Sequence, residues 1–379
     1  MQLEVIEDSQ RLASVTPEWR DLLSRSASRD FFLLPEWCQH WWATFGRGST
    51  LRTLAAWDGG RLIGLLPLYK QRIMQCNRLL FLGQPRHSDR VDLLADPGRE
   101  AECFALMAEA LSDMDDWDLL SLRNFSVFTG NADLAAEALR KAGLDCFLQE
   151  DEHFLYIPLE QYGSYDAYRD FFSSKVTRRR YRRKRKRLES LPGMEWREER
   201  ELGQALIDEI EDLDRNKSLR GRRHDCFFNQ EGNAEFLQRV FTDPVLREHT
   251  SSITLRAQGE LVAYRLDFHL DRRAMAYQIA YNDAYSVHSP GTMLLLHTIR
   301  RCFEGGVAEL DFLREGGTYK NRYANTFRTS TRLSAYRGNP KSKVLAFYHR
   351  NIKPLRKRLG QQDWVERVIP KQVRSRYDI

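Results

Sequence analysis

The sequence predicts a mixed α/β (α+β) chain of two successive units, each a mostly antiparallel sheet flanked by helices, followed by a basic C-terminal tail. Three observations predict it. A hairpin, strand, helix and strand follow one another between Ser251 and Leu313, and a looser copy of that pattern stands about 200 residues upstream. The third is size: 379 residues, 42% of them hydrophobic, suffice for about two domains with real cores.

In the later copy, Ile253, Leu255 and Ala257 alternate with polar or small neighbours. Gln258-Gly259-Glu260 turns the chain, and Val262, Tyr264, Leu266, Phe268 and Leu270 alternate with Arg265, Asp267 and His269. Period-two alternation around a glycine turn marks an antiparallel hairpin. After Asp271-Arg272-Arg273 a third strand sets Met275, Tyr277, Ile279 and Tyr281 on one side and Ala274, Ala276, Gln278 and Ala280 on the other. So small a face predicts a closely packed neighbour. Asn282 to Gly291 is turn-rich. Thr292 to Phe303 then places Met293, Leu296, Ile299 and Phe303 on one helical stripe, and Gly305-Gly306 stops the helix. Val307 to Leu313 is a short apolar strand, parallel to its predecessor if the helix is a crossover.

The earlier copy reads Leu51 to Trp57, the turn Asp58-Gly59-Gly60, and Arg61 to Leu66, with Gly60 to Gly64 standing where Gly259 to Ala263 stand later. A strand near Asn77 to Leu82, a helix from Arg99 to Ser112 and a strand at Trp117 to Leu122 complete it. Polar Asp151-Glu152-His153 and the breakers Pro158, Gly163 and Ser164 place the boundary near 155. The expected domains are 1–155, 156–340 and a tail of 341–379.

Several classes are excluded. The longest apolar run, Leu62 to Tyr69, contains Pro67 and falls far short of the roughly 18–20 residues a membrane-crossing helix needs. The opening Met1 to Asp8 lacks the basic and then apolar regions of a secretory signal, so a cytoplasmic placement is expected. Six scattered cysteines (Cys38, Cys76, Cys103, Cys146, Cys226, Cys302) with no CxxC pair read as free thiols, and the nine histidines form no metal-binding pair on a helix; no metal is expected.

The formal charge of +6 hides two concentrations. Lys175 to Arg187 holds ten basic residues and no acid, and 341–379 holds eleven against three acids, which leaves −12 on the remainder. An acidic partner is expected at both. Nucleic acid, anionic lipid head groups and a phosphate-bearing substrate all suit such runs. The absence of a zinc finger, an RNP aromatic pair or another nucleic-acid signature disfavours the first. The tail around Tyr348 to Leu359 could lie on an anionic inner membrane as a peripheral contact. A solvated helix face, balanced by the acidic stretches Glu198 to Glu201 and Glu209 to Asp214, is the plainer alternative.

The junction Ser289-Pro290-Gly291-Thr292 leads from the third strand into the helix, where unpaired amides at the positive end of a helix dipole favour phosphate. The same four residues also make an ordinary helix start. Tyr281-Asn282-Asp283-Ala284-Tyr285, Ser289-Pro290-Gly291, Leu294-Leu295, Asp311-Phe312-Leu313 and Tyr319-Lys320, in this order, resemble the CelD/BcsL-like branch of the GNAT acyltransferases. The likeness is loose over both halves and good over about residues 160–340. It implies tandem GNAT-like domains similar to those of the Fem aminoacyl transferases. It also implies acyl transfer from acetyl-CoA or another acyl-CoA in the second half, and a link to cellulose or exopolysaccharide production. Ser-Pro-Gly-Thr departs from the Q/RxxGxG/A loop of the general pattern.

Such a transfer needs a base for the acceptor, a polarised carbonyl and an acid for the departing sulfur, and no covalent intermediate. Asp283, Asp311 and Glu315 are the candidate bases, with Asp311 favoured, and Tyr281, Tyr285 and Tyr319 the candidate acids. Ser289, Pro290, Gly291, Thr292 and Met293 are the expected cofactor contacts, and Lys320 and Asp283 would meet substrate. The first copy offers Gly83 to Asp92 in place of the junction and is expected to bind no coenzyme A; its His87, Asp89 and Asp92 would face the acceptor. The Fem comparison adds Lys175, Arg178 and Arg182 for a phosphorylated acceptor. The expected acceptor is a sugar or sugar-nucleotide. An aminoacyl-tRNA-dependent transferase and a non-catalytic accessory protein of polysaccharide assembly stand as the alternatives.

Overall fold

The computed structural model describes every residue except 74, 200–201, 217–226, 315–318 and 353–379. Glu315, Cys226 and most of the expected basic tail lie outside the described residues. The chain divides into two units, Met1–Glu152 with Thr329–Ile379, and His153–Arg328. The first boundary falls where the polar Asp151-Glu152-His153 stands. The second lies at 328/329 rather than 340, because the chain after Arg328 returns as a strand of the first unit.

The first unit begins with β1 (Gln2–Ile6), α1 (Ser9–Ser14), α2 (Thr16–Arg25) and α3 (Pro35–Phe45). There follow β2 (Thr50–Leu51), β3 (Thr53–Asp58), β4 (Arg61–Leu66), β5 (Leu68–Ile73), β6 (Cys76–Phe81), β7 (Leu94–Ala95), α4 (Glu100–Asp113), β8 (Leu119–Phe125) and α5 (Asn131–Lys141). The expected hairpin is β3–β4, and Pro67 breaks its second strand so that β5 leaves to pair with β6. β6 and β8 run parallel for two pairs only, Arg78 with Leu119 and Leu79 with Leu120, and then part. The gap is filled by the chain itself: Val91 bridges Phe125, its amide donating to the Asn124 carbonyl at 3.2 Å.

That filling loop carries three expected acceptor residues, and all three are interior. His87 accepts the Trp41 indole N–H at 3.0 Å and stacks on Phe45, while Asp89 is buried beside it in sequence. Asp92 accepts from the Thr129 hydroxyl at 2.6 Å, the Asn131 amide at 3.0 Å and the Leu93 backbone N–H at 2.8 Å. They brace a core in place of facing a cleft, because the loop occupies the space a cleft would need.

Strand β9 (Asp145–Pro158) carries the chain into the second unit. There α6 (Tyr165–Phe172), α7 (Lys175–Glu189), β10 (Glu195–Glu199), α8 (Gln204–Asn216) and α9 (Asn233–Thr242) precede β11 (Thr250–Ala257), β12 (Glu260–Leu270), β13 (Arg273–Tyr281), α10 (Pro290–Glu304) and β14 (Glu309–Arg314). β15 (Thr326–Tyr336) then leads back to pair with β8, and α11 (Pro340–Phe347) follows. Within this unit the strands are ordered β10, β11, β12, β13, β14, β9, antiparallel except for β13 with β14. The small face of β13 meets α10: Ala274 and Ala276 pack in one cluster with Leu295 and Ile299. Leu188, wholly buried, pins the otherwise basic α7 to Leu255, Val262 and Leu294.

Burial lifts the Asp92 carboxyl from its ordinary 3.8 to about 6, against the pull of its hydrogen-bond donors. The folded chain therefore holds this proton more tightly than the unfolded chain, and stability declines as pH rises from about 4 to about 6 and levels off above. Denaturant unfolding across that window should show the native chain losing about 2–3 kcal/mol relative to Asp92→Asn, which does not titrate. Parallel curves for the two proteins would disprove it.

Candidate active site

The site starts where β13 and β14 separate. Their parallel ladder has three pairs, Arg273 with Glu309, Ala274 with Leu310 and Met275 with Asp311, and β13 continues to Tyr281 without a further β14 partner. On the β14 side the register against β9 slips between Asp311 and Arg314. Leu313 takes a left-handed φ of 57°, which costs a side-chain-bearing residue roughly 1–2 kcal/mol. The Asp311 carboxylate offsets part of that by accepting the Leu313 amide at 2.6 Å. Lys320 closes the arrangement, its ammonium donating to the carbonyls of Phe312 at 2.8 Å and Arg314 at 2.6 Å.

Two expected roles change here. Asp311 stands at the apex of the wedge, yet it is wholly buried and bonded to main chain, the setting of a brace more than of an open base. Lys320 was expected to hold substrate; its hydrogen bonds go to the strand end instead.

One edge of the wedge leads to α10. Ser289 is left-handed at φ 55°, Pro290 opens the helix with no N–H, and the first bond into it is Met293 amide to Ser289 carbonyl at 3.1 Å. The Gly291 and Thr292 amides therefore precede the intrahelical ladder. A Cβ at Gly291 would stand 3.0 Å from the Tyr281 ring, so glycine lets strand end and helix start approach this closely without displacing the ring. Lys184 of α7 donates to the Ser289 hydroxyl. An ammonium at the positive end of a helix dipole is a repulsive pairing that an anion between them would relieve. The expected cofactor contacts Ser289, Pro290, Gly291 and Thr292 are thus assembled at one place. Met293 turns inward among Leu255 and Val262.

The tyrosines divide. Tyr281 packs on Gly291 and stays partly exposed. Tyr285 turns away: its hydroxyl meets Gln258 at 3.3 Å and Glu260 at 3.4 Å, at the β11–β12 turn. Asp283 is half-buried in the short helical turn after β13. Tyr319, next to the Lys320 clamp on β14, keeps 39% of its surface exposed while its hydroxyl lies within electrostatic reach of Arg265 and Asp267 on β12. Since β13 runs between β12 and β14, Tyr319 lies across the parted strands. Burial raises its pKa above the ordinary 10.

Arg265 and Asp267 stand at the polar positions of the hairpin's alternation. Both are buried, with the Arg265 Nε 2.7 and 2.8 Å from the two Asp267 oxygens, and Nη2 of Arg265 has no hydrogen-bond partner among the described residues. Nothing in the alternation distinguishes such a pair from a wet face, because helices cover both sides of these strands.

A cavity of about 930 Å³ lies in the same unit between α6, α7 and the outer side of α10. Tyr168, Tyr181 and Tyr323 form part of its wall and Arg178, Arg182 and Arg322 are among its cations. Arg178 is tied to the Ser173 carbonyl and faces Asp170 at 3.3 Å. Arg182 and Arg322 have no ion pair among the described residues. Lys175 opens α7 and is exposed, apart from the cavity wall. The Tyr323 hydroxyl stands 3.5 Å from that of Tyr181.

Residues 175–321, from the start of α7 to just beyond the Lys320 clamp, match the acetyltransferase (GNAT) domain family. Among solved structures, FemX superposes with a TM-score of 0.60 at 10% identity, covering 92% of this chain and 99% of FemX. A conserved protein of unknown function from Bacteroides thetaiotaomicron gives 0.54 at 11% identity over 88% and 100% of the two chains. L-PGS from Bacillus licheniformis gives 0.52 at 12% over 88% and 94%. These likenesses concern the fold. No curated protein matches the chain. The parted strands, the glycine-opened helix and the family match fall on the same stretch of sequence: over residues 175–321 the chain matches the GNAT acetyltransferase domain, which supports acyltransferase activity.

Proposed function

We propose that the second unit transfers an acyl group from a coenzyme A thioester directly to an amine or hydroxyl of a sugar, sugar-nucleotide or polysaccharide precursor, within the exopolysaccharide-linked branch that its motifs resemble. The observation that carries this is the wedge between β13 and β14 opening beside the start of α10. An extended arm fits an unpaired strand edge, and a pyrophosphate fits the Gly291 and Thr292 amides, the Ser289 hydroxyl and the Lys184 ammonium. Bound there, the thioester supplies an activated acyl group.

The chain's own part is placement and proton handling. Tyr319, across the parted strands with a raised pKa, keeps its proton through neutral pH and can deliver it to the departing sulfur. Asp311 we assign to positioning: it holds the bulge that keeps β14 away from β13. Arg182, with Arg178 beside it, is the site for the phosphate of an acceptor in the 930 Å³ cavity, a volume suited to a nucleotide-sized molecule.

Calorimetry at low salt should show acetyl-CoA binding in the micromolar to millimolar range common for substrates. Gly291→Val, which forces the Tyr281 ring aside, should weaken it at least about tenfold. No heat with acetyl-CoA or with longer thioesters would end this reading, and a salt-sensitive tRNA complex in its place would favour the aminoacyl-tRNA-dependent alternative.

With an amino-sugar nucleotide as acceptor and thiol release as the signal, Tyr319→Phe should lower kcat by roughly 100-fold with little change in KM. Asp311→Asn, which can still accept the Leu313 amide, should retain most of kcat, whereas Asp311→Ala should lose both activity and stability. A large kcat loss in Asp311→Asn at unchanged KM would return the carboxylate to the role of base.

A further inference from the structure

The outer side of α7 is a cation surface without a paired counter-charge among the described residues. On a helix of 3.6 residues per turn, Arg179, Arg180, Arg183, Lys186 and Arg187 share roughly a third of the circumference with Val176, opposite the buried Leu188. All are exposed. None has an ion pair among the described residues; Arg180 only leans over the Tyr181 ring at 5.9 Å. Three of the acids expected to neutralise them are engaged elsewhere. Glu198 pairs with Arg301, Glu209 with Arg256 and Glu211 with Arg215, and Glu189 on α7 itself holds Arg185.

We propose that this face of α7 docks on an anionic phospholipid bilayer. Five unneutralised cations along a helix about 22 Å long suit a plane of phosphates, and four of the five are arginines, whose forked guanidinium binds phosphate through two hydrogen bonds. The apolar groups beside them select lipid over polynucleotide. Val176, within the cationic arc, is 77% exposed, and Phe171, at the end of the preceding helix, is 65% exposed. A bilayer interface takes up such side chains, while a phosphate backbone gains nothing from Val176, and the arc itself carries no aromatic ring on which bases could stack. The docking is independent of the acyl-transfer reading: the arc uses none of the residues assigned to the wedge or the cavity.

The test is sedimentation of the full chain with vesicles of phosphatidylcholine containing phosphatidylglycerol, against phosphatidylcholine alone, at low and high salt. The expected result is binding to the anionic vesicles only, falling steeply as salt rises. Each basic residue near such a surface contributes roughly fivefold, so the triple substitution Arg179→Gln, Arg183→Gln, Lys186→Gln should lower partitioning on the order of 100-fold. Phe171→Ser with Val176→Ser should lower it further by about tenfold without changing the salt slope. The triple variant should keep its melting temperature and its heat with acetyl-CoA. Equal binding by the triple variant and the native chain overturns the proposal. So does failure to bind anionic vesicles, whether or not tRNA is shifted through the same three residues.

Discussion

The separation of β13 from β14 after Met275 and Asp311 is the constraint on which the site depends. Parting two strands strands their main-chain groups, and buried amides and carbonyls must find other partners. The fold supplies them from within β14 and its next turn: Asp311 accepts the Leu313 amide, and Lys320 donates to the Phe312 and Arg314 carbonyls. Those three groups are then satisfied without a neighbouring strand. The wedge stays open because closing it would give up hydrogen bonds already made, all three charge-assisted and so stronger than the neutral bonds a ladder would return.

The first unit shows the other solution to the same problem. Its β6 and β8 also part after a short parallel ladder, but there the chain between β6 and α4 folds into the opening. Ser88 accepts the Trp37 indole N–H at 2.8 Å, Gln84 donates to the Arg123 carbonyl at 2.8 Å, and Val91 bridges β8. The corresponding connection of the second unit, Asn282 to Ser289, makes a short helical turn that reaches toward the β11–β12 turn through Tyr285. One duplicated strand pair thus ends as core and the other as an opening. The difference lies in the connecting segment and in its polar residues, which are interior in the first unit.

The sequence made the hairpins, the crossover helix and the four-residue junction readable because each is a local pattern: alternation about a glycine turn, a 3.6-residue stripe, a proline at the first helical position. β10 was not readable, since Glu195-Trp196-Arg197-Glu198-Glu199 shows no apolar alternation and owes its strand to pairing with β11. β15 could not be assigned to the first unit, because its partner β8 lies some 200 residues earlier in the chain. Residue roles were harder still. A carboxylate or lysine at a strand end has the same appearance in sequence whether it meets a ligand, as was expected of Asp311 and Lys320, or its own main chain. Arg265 and Asp267 illustrate the limit from the other side: their alternation reads as a wet face, yet removing either would leave a buried charge uncompensated at a cost of about 3–5 kcal/mol.

Charge shows the same dependence on geometry. Ten cations in thirteen positions say only that a polyanion is wanted nearby, and the helix then divides them by angle. Lys184 reaches Ser289 at the start of α10, Arg178 and Arg182 line the cavity, and the remaining arc faces solvent. Like charges three and four residues apart destabilise a helix by a few tenths of a kcal/mol per pair. That repulsion is met by burial on the opposite side, where Leu188 packs fully against Leu255, Val262 and Leu294 with Tyr181 beside it. A helix kept for its own stability would carry alternating charges. One held in place by its apolar side, with Glu198, Glu209 and Glu211 committed to other arginines, instead keeps a standing electrostatic potential on two surfaces at once.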